Sequence, residues 1–197
     1  MKSVDLVNVS KRYKKKLVIN NISYTFNDGL YLITGENGKG KSTILKLIYG
    51  IVKPSSGTIS TNGNIIYLPE RFKAPNFVTV YEFLSIMITI KHKKKLFESY
   101  KESIINEYLN RFEIIKYKQY KMNQLSKGTI QKIMIIYTLI NSCDIYLFDE
   151  PLNGLDDKSQ HEFVNVLKEL IANKKIIIIS THYTSVYEDL PNNVLKL

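Results

Sequence analysis

Cysteine and long apolar segments are scarce in this 197-residue chain. Its single cysteine, Cys143, cannot form an internal disulfide, which excludes a disulfide-stapled protein and suits a reducing cytoplasm. The N-terminal residues 1–16 lack an apolar core of signal-peptide length, and the longest apolar segments, 77–90 and 133–140, are too short to span a membrane. We therefore expect no membrane-spanning helix.

Acidic residues are in the minority: 18 stand against 28 basic ones, so the formal net charge is +10. A charge of this sign predicts an anionic partner, which is a nucleotide, a nucleic acid or an acidic membrane surface. Only three of the basic residues are arginines, and the abundance of Lys, Ile, Asn and Tyr is typical of an AT-rich genome, which by itself explains much of the charge. The balance of 44% hydrophobic and 23% charged residues is that of a globular protein and excludes disorder and collagen.

Short β-type segments and longer helical segments alternate along the chain. The predicted strands are 4–9, 22–26, 30–34, 57–61, 65–68, 145–148 and 175–181. Helices are predicted after residue 34 and over 128–141 and 157–173, and apolar residues at helical spacing over 79–122 predict a helical insert. This order favours an α/β fold with a mainly parallel core sheet and an antiparallel side sheet at the front.

A glycine-rich segment follows the strand predicted at 30–34. It reads Gly35-Glu36-Asn37-Gly38-Lys39-Gly40-Lys41-Ser42-Thr43 and fits the P-loop pattern G-x-x-x-x-G-K-S/T between an apolar strand and a helix. In such a loop the backbone N–H groups and the helix N-terminus bind phosphate oxygens. We expect Lys41 at the β and γ phosphates and Ser42 at Mg²⁺. The candidate nucleotide-binding residues here are Gly35, Asn37, Gly38, Lys39, Gly40, Lys41, Ser42 and Thr43.

The apolar strand predicted at 145–148 ends in two acids, Asp149 and Glu150. Strand ends are where an α/β sheet binds its ligand. Asp149 is therefore expected to hold Mg²⁺ beside Ser42, and Glu150 to orient and deprotonate an attacking water. The alternative is an acidic pair that caps the next helix and has no catalytic role.

The segment Leu125-Ser126-Lys127-Gly128-Thr129-Ile130-Gln131 stands at the start of a predicted helix. A serine hydroxyl, a glycine N–H and a helix N-terminus can bind an anion, although a serine N-cap explains the same pattern. Together with the P-loop and the acid-ended strand, this segment resembles the signature motif of ATP-binding cassette (ABC) ATPases. The resemblance implies that Ser126 and Gly128 bind the γ-phosphate of ATP held by the opposite subunit of a head-to-tail dimer.

The resemblance runs through nearly the whole chain in the family's order. It implies one ABC nucleotide-binding domain over residues 1–197, with a helical subdomain inserted at about 76–122. It also implies that Tyr13 stacks on adenine and that Asp156, in a segment similar to the D-loop, communicates across the dimer. His182, at the end of Ile179-Ser180-Thr181-His182, resembles the switch histidine that contacts the γ-phosphate. Ordinary packing for Tyr13 and a satisfied strand-end histidine for His182 are the alternatives, and His92 and His161 receive no role.

The chain departs from the family pattern at Glu70, where the family usually has a glutamine that contacts Mg²⁺ and the attacking water. A glutamate can still coordinate the metal, but it adds negative charge near Glu150 and the phosphates, so hydrolysis is expected to be slower or coupled differently. Variants of this kind resemble exporter-like bacterial branches of the family and favour export. Lys127 and Thr129 also differ from the commonest signature residues, whereas Ser126 and Gly128 are retained.

The resemblance implies an ATPase that converts ATP and water to ADP and phosphate, with ATP and Mg²⁺ as cofactors. As a subunit of an ABC transporter it would power transport through a separate integral membrane permease, docked at the helical subdomain. It would form a homodimer, or a heterodimer with a second ABC ATPase subunit, in the cytoplasm at the inner face of the cell membrane, and no nucleic acid is expected as a partner.

Two other functions stay open from the sequence. A soluble ABC ATPase acting on ribosomes or nucleic acid is supported only by the +10 charge, whereas the single cassette and the short distance from P-loop to signature argue against it. A cassette that binds ATP without hydrolysing it is disfavoured by the presence of Glu150 and His182.

Overall fold

The computed structural model describes residues 2–91 and 97–197. Its strands are β1 (Ser3–Tyr13), β2 (Lys16–Phe26), β3 (Gly29–Thr34), β4 (Ser56–Asn62), β5 (Ile65–Leu68), β6 (Ile145–Asp149), β7 (Ile176–Ser180) and β8 (Asn192–Lys196). Its helices are α1 (Lys41–Tyr49), α2 (Val80–Lys91), α3 (Glu98–Arg111), α4 (Lys127–Ile140) and α5 (Asp157–Ala172).

The chain divides into two compact units. The β-rich unit comprises Met1–Glu70, Cys143–Pro151 and Val166–Leu197, and the helical unit comprises Arg71–Ser142 and Leu152–Asn165. The predicted helical subdomain of about 76–122 falls within the second of these, and as a domain assignment it stays a prediction.

A five-stranded parallel sheet in the order β5-β6-β7-β3-β8 forms the centre of the β-rich unit. Every residue of β6 and β7 is buried, because both faces of these strands are covered and their continuous Ile, Leu, Tyr and Phe side chains can pack on either side. Parallel strands end at the same edge of the sheet. The segments after β3, β6 and β7 are therefore brought together there.

The second sheet of this unit is antiparallel, with the order β2-β1-β4. Helix α1 packs against strands of both sheets through Ile44, Leu45, Leu47 and Ile48. Its apolar face joins Val4, Leu6 and Phe26 of the side sheet to Leu147 and Ile178 of the parallel sheet in one core cluster. The helix that follows the P-loop is thus held by apolar packing on two sides.

The helical unit contains α2, α3, α4 and the first residues of α5. Ile105 and Leu109 of α3 are fully buried, and the rings of Phe83 and Tyr137 lie 6.1 Å apart between α2 and α4. An Arg111–Glu162 ion pair of 2.6 Å joins the end of α3 to α5 within this unit.

The expected fold class is confirmed, since a mainly parallel sheet, an antiparallel sheet and the helices are all present. Strand β8 was not among the predicted strands, and β1 and β2 are longer than predicted, extending to Tyr13 and from Lys16 on either side of the turn. The lysine cluster at 91 and 93–95 was interpreted as a helix end or loop; α2 ends at Lys91, and positions 93–95 lie outside the described residues. Within residues 2–91 and 97–197, no helix has both the length and the hydropathy of a membrane span.

Candidate active site

The P-loop connects β3 to α1 through a backbone that requires glycine. Gly40 precedes the helix with φ of 106°, and a Cβ on it would lie 2.5 Å from Ile19 Cδ1 and 3.0 Å from Val18 Cγ1 of β2. A side chain there would both strain the backbone and displace the neighbouring strand. Asn37, Gly38 and Lys39 are exposed to solvent, whereas Gly35 and Thr43 are half-buried.

Lys41 and Ser42 open α1, so the free N–H groups of its first turn lie beside their side chains. Lys41 is 7% exposed, and its ammonium group donates to Gly35 O at 2.8 Å and lies 2.9 Å from His182 Nε2. Ser42 Oγ donates to Asp149 Oδ1 at 2.8 Å. The predicted phosphate and metal residues of the P-loop therefore contact the residues predicted at the ends of β6 and β7.

Asp149 is the last residue of β6, and its carboxylate is 2% exposed. Besides Ser42, it accepts from Ser180 Oγ at 2.5 Å on Oδ1 and from Tyr67 Oη at 3.0 Å on Oδ2. Sequence reasoning missed both Tyr67 and Ser180 as site residues. The only signal was that Tyr67 and Ser180 lie on the two strands that neighbour the acid-ended strand β6 in the sheet.

Glu150 has an unusual backbone and a buried carboxyl group. Its φ is +49°, in the left-handed region, and its N–H donates to Ser180 O at 3.0 Å and to Ser180 Oγ at 3.2 Å. Neither carboxyl oxygen has a side-chain hydrogen-bond partner, although Oε1 lies 3.1 Å from His182 Nε2 and 3.9 Å from Lys41 Nζ. Burial raises the pKa of Glu150, while the charges of His182 and Lys41 and the backbone N–H of His182 act in the opposite direction.

His182 follows β7 and completes this cluster. An ammonium group can only donate, so Nε2 accepts from Lys41 when the two form a hydrogen bond. The same nitrogen cannot then donate to Glu150. When Nε2 carries a proton, it pairs instead with Oε1 of Glu150 at 3.1 Å, so this nitrogen serves Lys41 or Glu150 according to its protonation.

Tyr13 and Glu70 lie at the margin of the β-rich unit and are both exposed. Tyr13 ends β1, pairs with Lys16 of the neighbouring strand, and has Lys11 Nζ 5.0 Å from its ring centroid. Gly40 of the P-loop packs on Val18 of β2, the strand that pairs with β1. The exposed ring of Tyr13 therefore belongs to the strand pair that borders the P-loop. Adenine stacking by Tyr13 and metal contact by Glu70 stay predictions.

Ser126, Gly128 and Asp156 belong to the helical unit, whereas the residues described above belong to the β-rich unit. Ser126 is the N-cap of α4, where its Oγ accepts from Thr129 N–H at 3.2 Å. A Cβ on Gly128 would lie 2.5 Å from Gly154 O, so the signature segment and the predicted D-loop pack against each other backbone to backbone. The N-cap role is observed, and the anion role stays a prediction.

Asp156 likewise has a local structural role. Its Oδ1 accepts from Ser159 N–H at 2.9 Å at the start of α5, and its Oδ2 accepts from Lys132 Nζ at 2.7 Å. The hydrogen bond from Lys132, followed by that from Ser159, lowers the pKa of Asp156 to about 2. Its predicted role across a dimer is untested by these contacts.

The pair formed by Ser42 and Asp149 is chemically suited to Mg²⁺. Among the described residues, no three His, Cys, Asp or Glu side chains form a larger metal cluster. Mg²⁺ in nucleotide sites needs only one or two protein oxygens, because phosphates and waters complete its shell. A hydroxyl and a carboxylate 2.8 Å apart beside the P-loop provide such oxygens.

Residues 19–153 match the family model described as ABC transporter, which covers more than half of the chain. An uncharacterized ABC transporter ATP-binding protein of Methanocaldococcus jannaschii is 33% identical over 98% of this chain and 73% of the relative. A Nod factor export ATP-binding protein I of Burkholderia lata is 30% identical over 95% of this chain and 65% of the relative. A zinc import ATP-binding protein of Rickettsia conorii is 33% identical over 83% of this chain and 69% of the relative.

Solved structures agree with the fold. The structure described as an ATP binding subunit of an ABC transporter superposes with a TM-score of 0.89 at 26% identity, covering 98% of this chain and 85% of the other. The dimeric cassette MJ0796 bound to ADP and Pi superposes with a TM-score of 0.90 at 24% identity, covering 98% of this chain and 94% of the other, and shows a common fold. From its family match, its relatives and its P-loop fold, this chain belongs to the ABC transporter family as an ATP-binding protein.

Proposed function

We propose that this chain binds and hydrolyses ATP to power transport through a separate membrane subunit. The observation that carries the proposal is the contact between the P-loop and the ends of β6 and β7. Ser42 donates to Asp149 at 2.8 Å, Lys41 lies 2.9 Å from His182, and His182 lies 3.1 Å from Glu150. Phosphate-binding, metal-binding and proton-accepting groups thus meet at one edge of the sheet.

Each of these groups has a distinct part in hydrolysis. Lys41 supplies positive charge to the phosphates, and Ser42 and Asp149 would hold Mg²⁺, which neutralises charge that develops on the phosphoryl oxygens. No side chain forms a hydrogen bond with the carboxyl oxygens of Glu150, which suits this residue to accept a proton from the attacking water. His182 lies 2.9 Å from Lys41 Nζ and 3.1 Å from Glu150 Oε1, which supports the prediction that it contacts the γ-phosphate.

Dimer formation is the second part of the proposal. Ser126 and Gly128 start α4, where a helix N-terminus favours an anion, and the opposite subunit of a dimer would supply that anion as the γ-phosphate of its ATP. The MJ0796 cassette is dimeric in a post-hydrolysis state with ADP and Pi, which supports the same arrangement here. Either two copies of this chain or this chain and a related one would form the pair.

The family supports a membrane partner, whereas it includes proteins of both transport directions. We propose an integral membrane permease as the partner, docked at the helical unit, with this chain on the cytoplasmic face of the membrane. Relatives include one described as an export protein and one as an import protein. We keep export as our prediction for this chain, and it rests on Glu70 in place of the family's glutamine.

The catalytic part is tested with Glu150→Gln. The variant keeps the P-loop but loses the proton acceptor, so we expect ATP hydrolysis to fall by about 10²- to 10⁴-fold while ATP is still bound. An ATP-dependent dimer should accumulate, as measured by light scattering after size exclusion. Glu107→Gln is the matched control, because Glu107 is exposed on α3 and should leave the rate unchanged. Hydrolysis at the normal rate in Glu150→Gln would remove this residue from its proposed role.

The transport part is tested by identifying what accompanies the chain in its own host. A tagged copy is expressed, the membranes are solubilised gently, and co-purifying proteins are identified by mass spectrometry. We expect a multi-spanning membrane protein at near-stoichiometric yield. Recovery with ribosomes or DNA and no membrane protein would instead support the soluble ABC class and leave the ATP site unchanged.

A further inference from the structure

Three hydroxyl groups from three different elements surround the carboxylate of Asp149. Ser42 on α1 and Ser180 on β7 donate to Oδ1, at 2.8 and 2.5 Å, and Tyr67 on β5 donates to Oδ2 at 3.0 Å. Ser42 already has a role as a P-loop residue. The other two hydroxyls lie on the strands next to β6 in the sheet, and none of the sequence motifs accounts for them.

Ser180 connects the two adjacent acids. It is fully buried, its Oγ donates to Asp149, and the same Oγ accepts from the N–H of Glu150 at 3.2 Å. The carbonyl oxygen of Ser180 accepts that N–H as well, at 3.0 Å. One serine thus fixes the carboxylate of Asp149 and the left-handed backbone of Glu150.

Tyr67 fixes the other carboxylate oxygen. Its side chain is 8% exposed, its strand pairs with β6 at Leu147, and its ring lies 5.5 Å from that of Tyr49.

Held in this way, the carboxylate of Asp149 keeps one orientation, with Oδ1 toward Ser42. We propose that Tyr67 and Ser180 are positioning residues that hold Asp149 ready for the magnesium ion of Mg²⁺–ATP, an inference that rests on the proposed function. Mg²⁺ demands near-ideal octahedral geometry, so the orientation of its ligand affects affinity strongly. Groups that hydrogen-bond a metal ligand typically contribute about 10- to 100-fold to metal affinity.

The test separates metal affinity from nucleotide affinity. Mn²⁺, which replaces Mg²⁺ and is visible by electron paramagnetic resonance, is titrated into the ATP-loaded chain, and ATP binding in EDTA is measured in parallel. For Tyr67→Phe we expect the Mn²⁺ dissociation constant to rise about tenfold or more, with ATP binding in EDTA unchanged. Tyr49→Phe is the matched control, because it removes a hydroxyl from the neighbouring, exposed ring and should behave as wild type.

Ser180 is tested in the same assay. Ser180→Ala should weaken Mn²⁺ binding, and Ser180→Thr, which keeps a hydroxyl, should restore part of it. Melting temperatures show whether each variant is folded. If Ser180→Ala is not folded, Tyr67→Phe alone tests the inference. A Tyr67→Phe variant that binds Mn²⁺ as tightly as wild type would overturn the inference and leave the proposed function intact. A wild-type chain that binds no Mn²⁺–ATP would overturn the proposed function and the inference together.

Discussion

Asp149 and Glu150 are neighbours in sequence, yet their side chains have opposite environments. The carboxylate of Asp149 accepts hydrogen bonds from three hydroxyl groups, whereas the carboxyl oxygens of Glu150 accept none from a side chain. Two acids in contrasting surroundings are commonly assigned different tasks. The hydrogen-bonded acid is suited to hold a metal ion in one orientation, and the unpartnered acid is suited to exchange a proton.

The raised pKa of Glu150 predicts the pH dependence of hydrolysis. The carboxyl group must be deprotonated to accept a proton from water, and a raised pKa keeps it protonated at higher pH than usual. We therefore expect the acid limb of the kcat–pH profile to lie above 4.5, the ordinary value for glutamate. Steady-state rates at saturating Mg²⁺–ATP across the acid range measure this limb. An acid limb at or below pH 4.5 would contradict the proposal that burial raises the pKa of Glu150.

The same pKa shift predicts an effect on stability. Because the pKa of Glu150 is higher in the folded chain than in the unfolded one, stability falls as pH rises through the window between the two values. Glu150→Gln removes the charge, so we expect a higher melting temperature than wild type at neutral pH and no difference below pH 4.5. Glu107→Gln should melt as wild type at both pH values. A Glu150→Gln variant with a lower melting temperature than wild type at neutral pH would contradict this prediction.

At the scale of elements, the start of α4 is shaped by the close approach of Gly128 to Gly154. A Cβ at Gly128 would lie 2.5 Å from Gly154 O, and a backbone oxygen cannot move away as a side chain can. Alanine favours a helix over glycine by about 1 kcal/mol, while overpacking costs about 1–3 kcal/mol. In Gly128→Ala we expect the steric cost to exceed the gain in helix preference. The free energy of unfolding should therefore fall by about 1 kcal/mol.

Chemical denaturation of Gly128→Ala measures this difference. Lys127→Ala is the control, because Lys127 is exposed in the same turn of α4 and a surface change there alters stability by about 0.5 kcal/mol at most. A Gly128→Ala variant that is more stable than wild type would show that the helix preference dominates and that the loop at Gly154 yields.

The elements also show which parts of the structure a sequence can predict. Strands β6 and β7 were predicted because their continuous apolar residues are buried on both faces. Strand β8 was missed because it lies at the edge of the sheet and begins with two asparagines, so its sequence has the polar composition of a loop. Burial leaves a pattern in the sequence, whereas pairing at a sheet edge depends on backbone groups alone.

Likewise, the sequence predicts some residues of the candidate site and misses others. The P-loop and the two acids at the end of β6 could be predicted, because their residue types follow one another along the chain. Tyr67 and Ser180 could not, since their hydroxyl groups reach Asp149 only through the register of β5 and β7 with β6. Register is a property of the folded sheet, and no local spacing in the sequence specifies it.

At the scale of the whole molecule, the net charge of +10 comes almost entirely from lysine. Lys14 and Lys15 form the turn between β1 and β2, Lys16 begins β2, and all three are exposed. A second lysine run occupies positions 93–95 of the sequence. Each lysine near an anionic membrane contributes about 1 kcal/mol to binding, and salt screens the attraction over about 10 Å at 0.1 M. An ATPase subunit that docks on a permease would work beside such a surface.

We therefore expect the purified chain to sediment with vesicles that contain anionic lipid at low ionic strength and to be released as salt is raised. Vesicles of neutral lipid are the control for the lipid, and they should not bind the chain. Two triple variants are matched in charge, one with glutamine at 14–16 and one with glutamine at 93–95, and each should weaken binding because each removes the same three charges. Binding that is indifferent to lipid charge would assign the excess of lysine to composition alone.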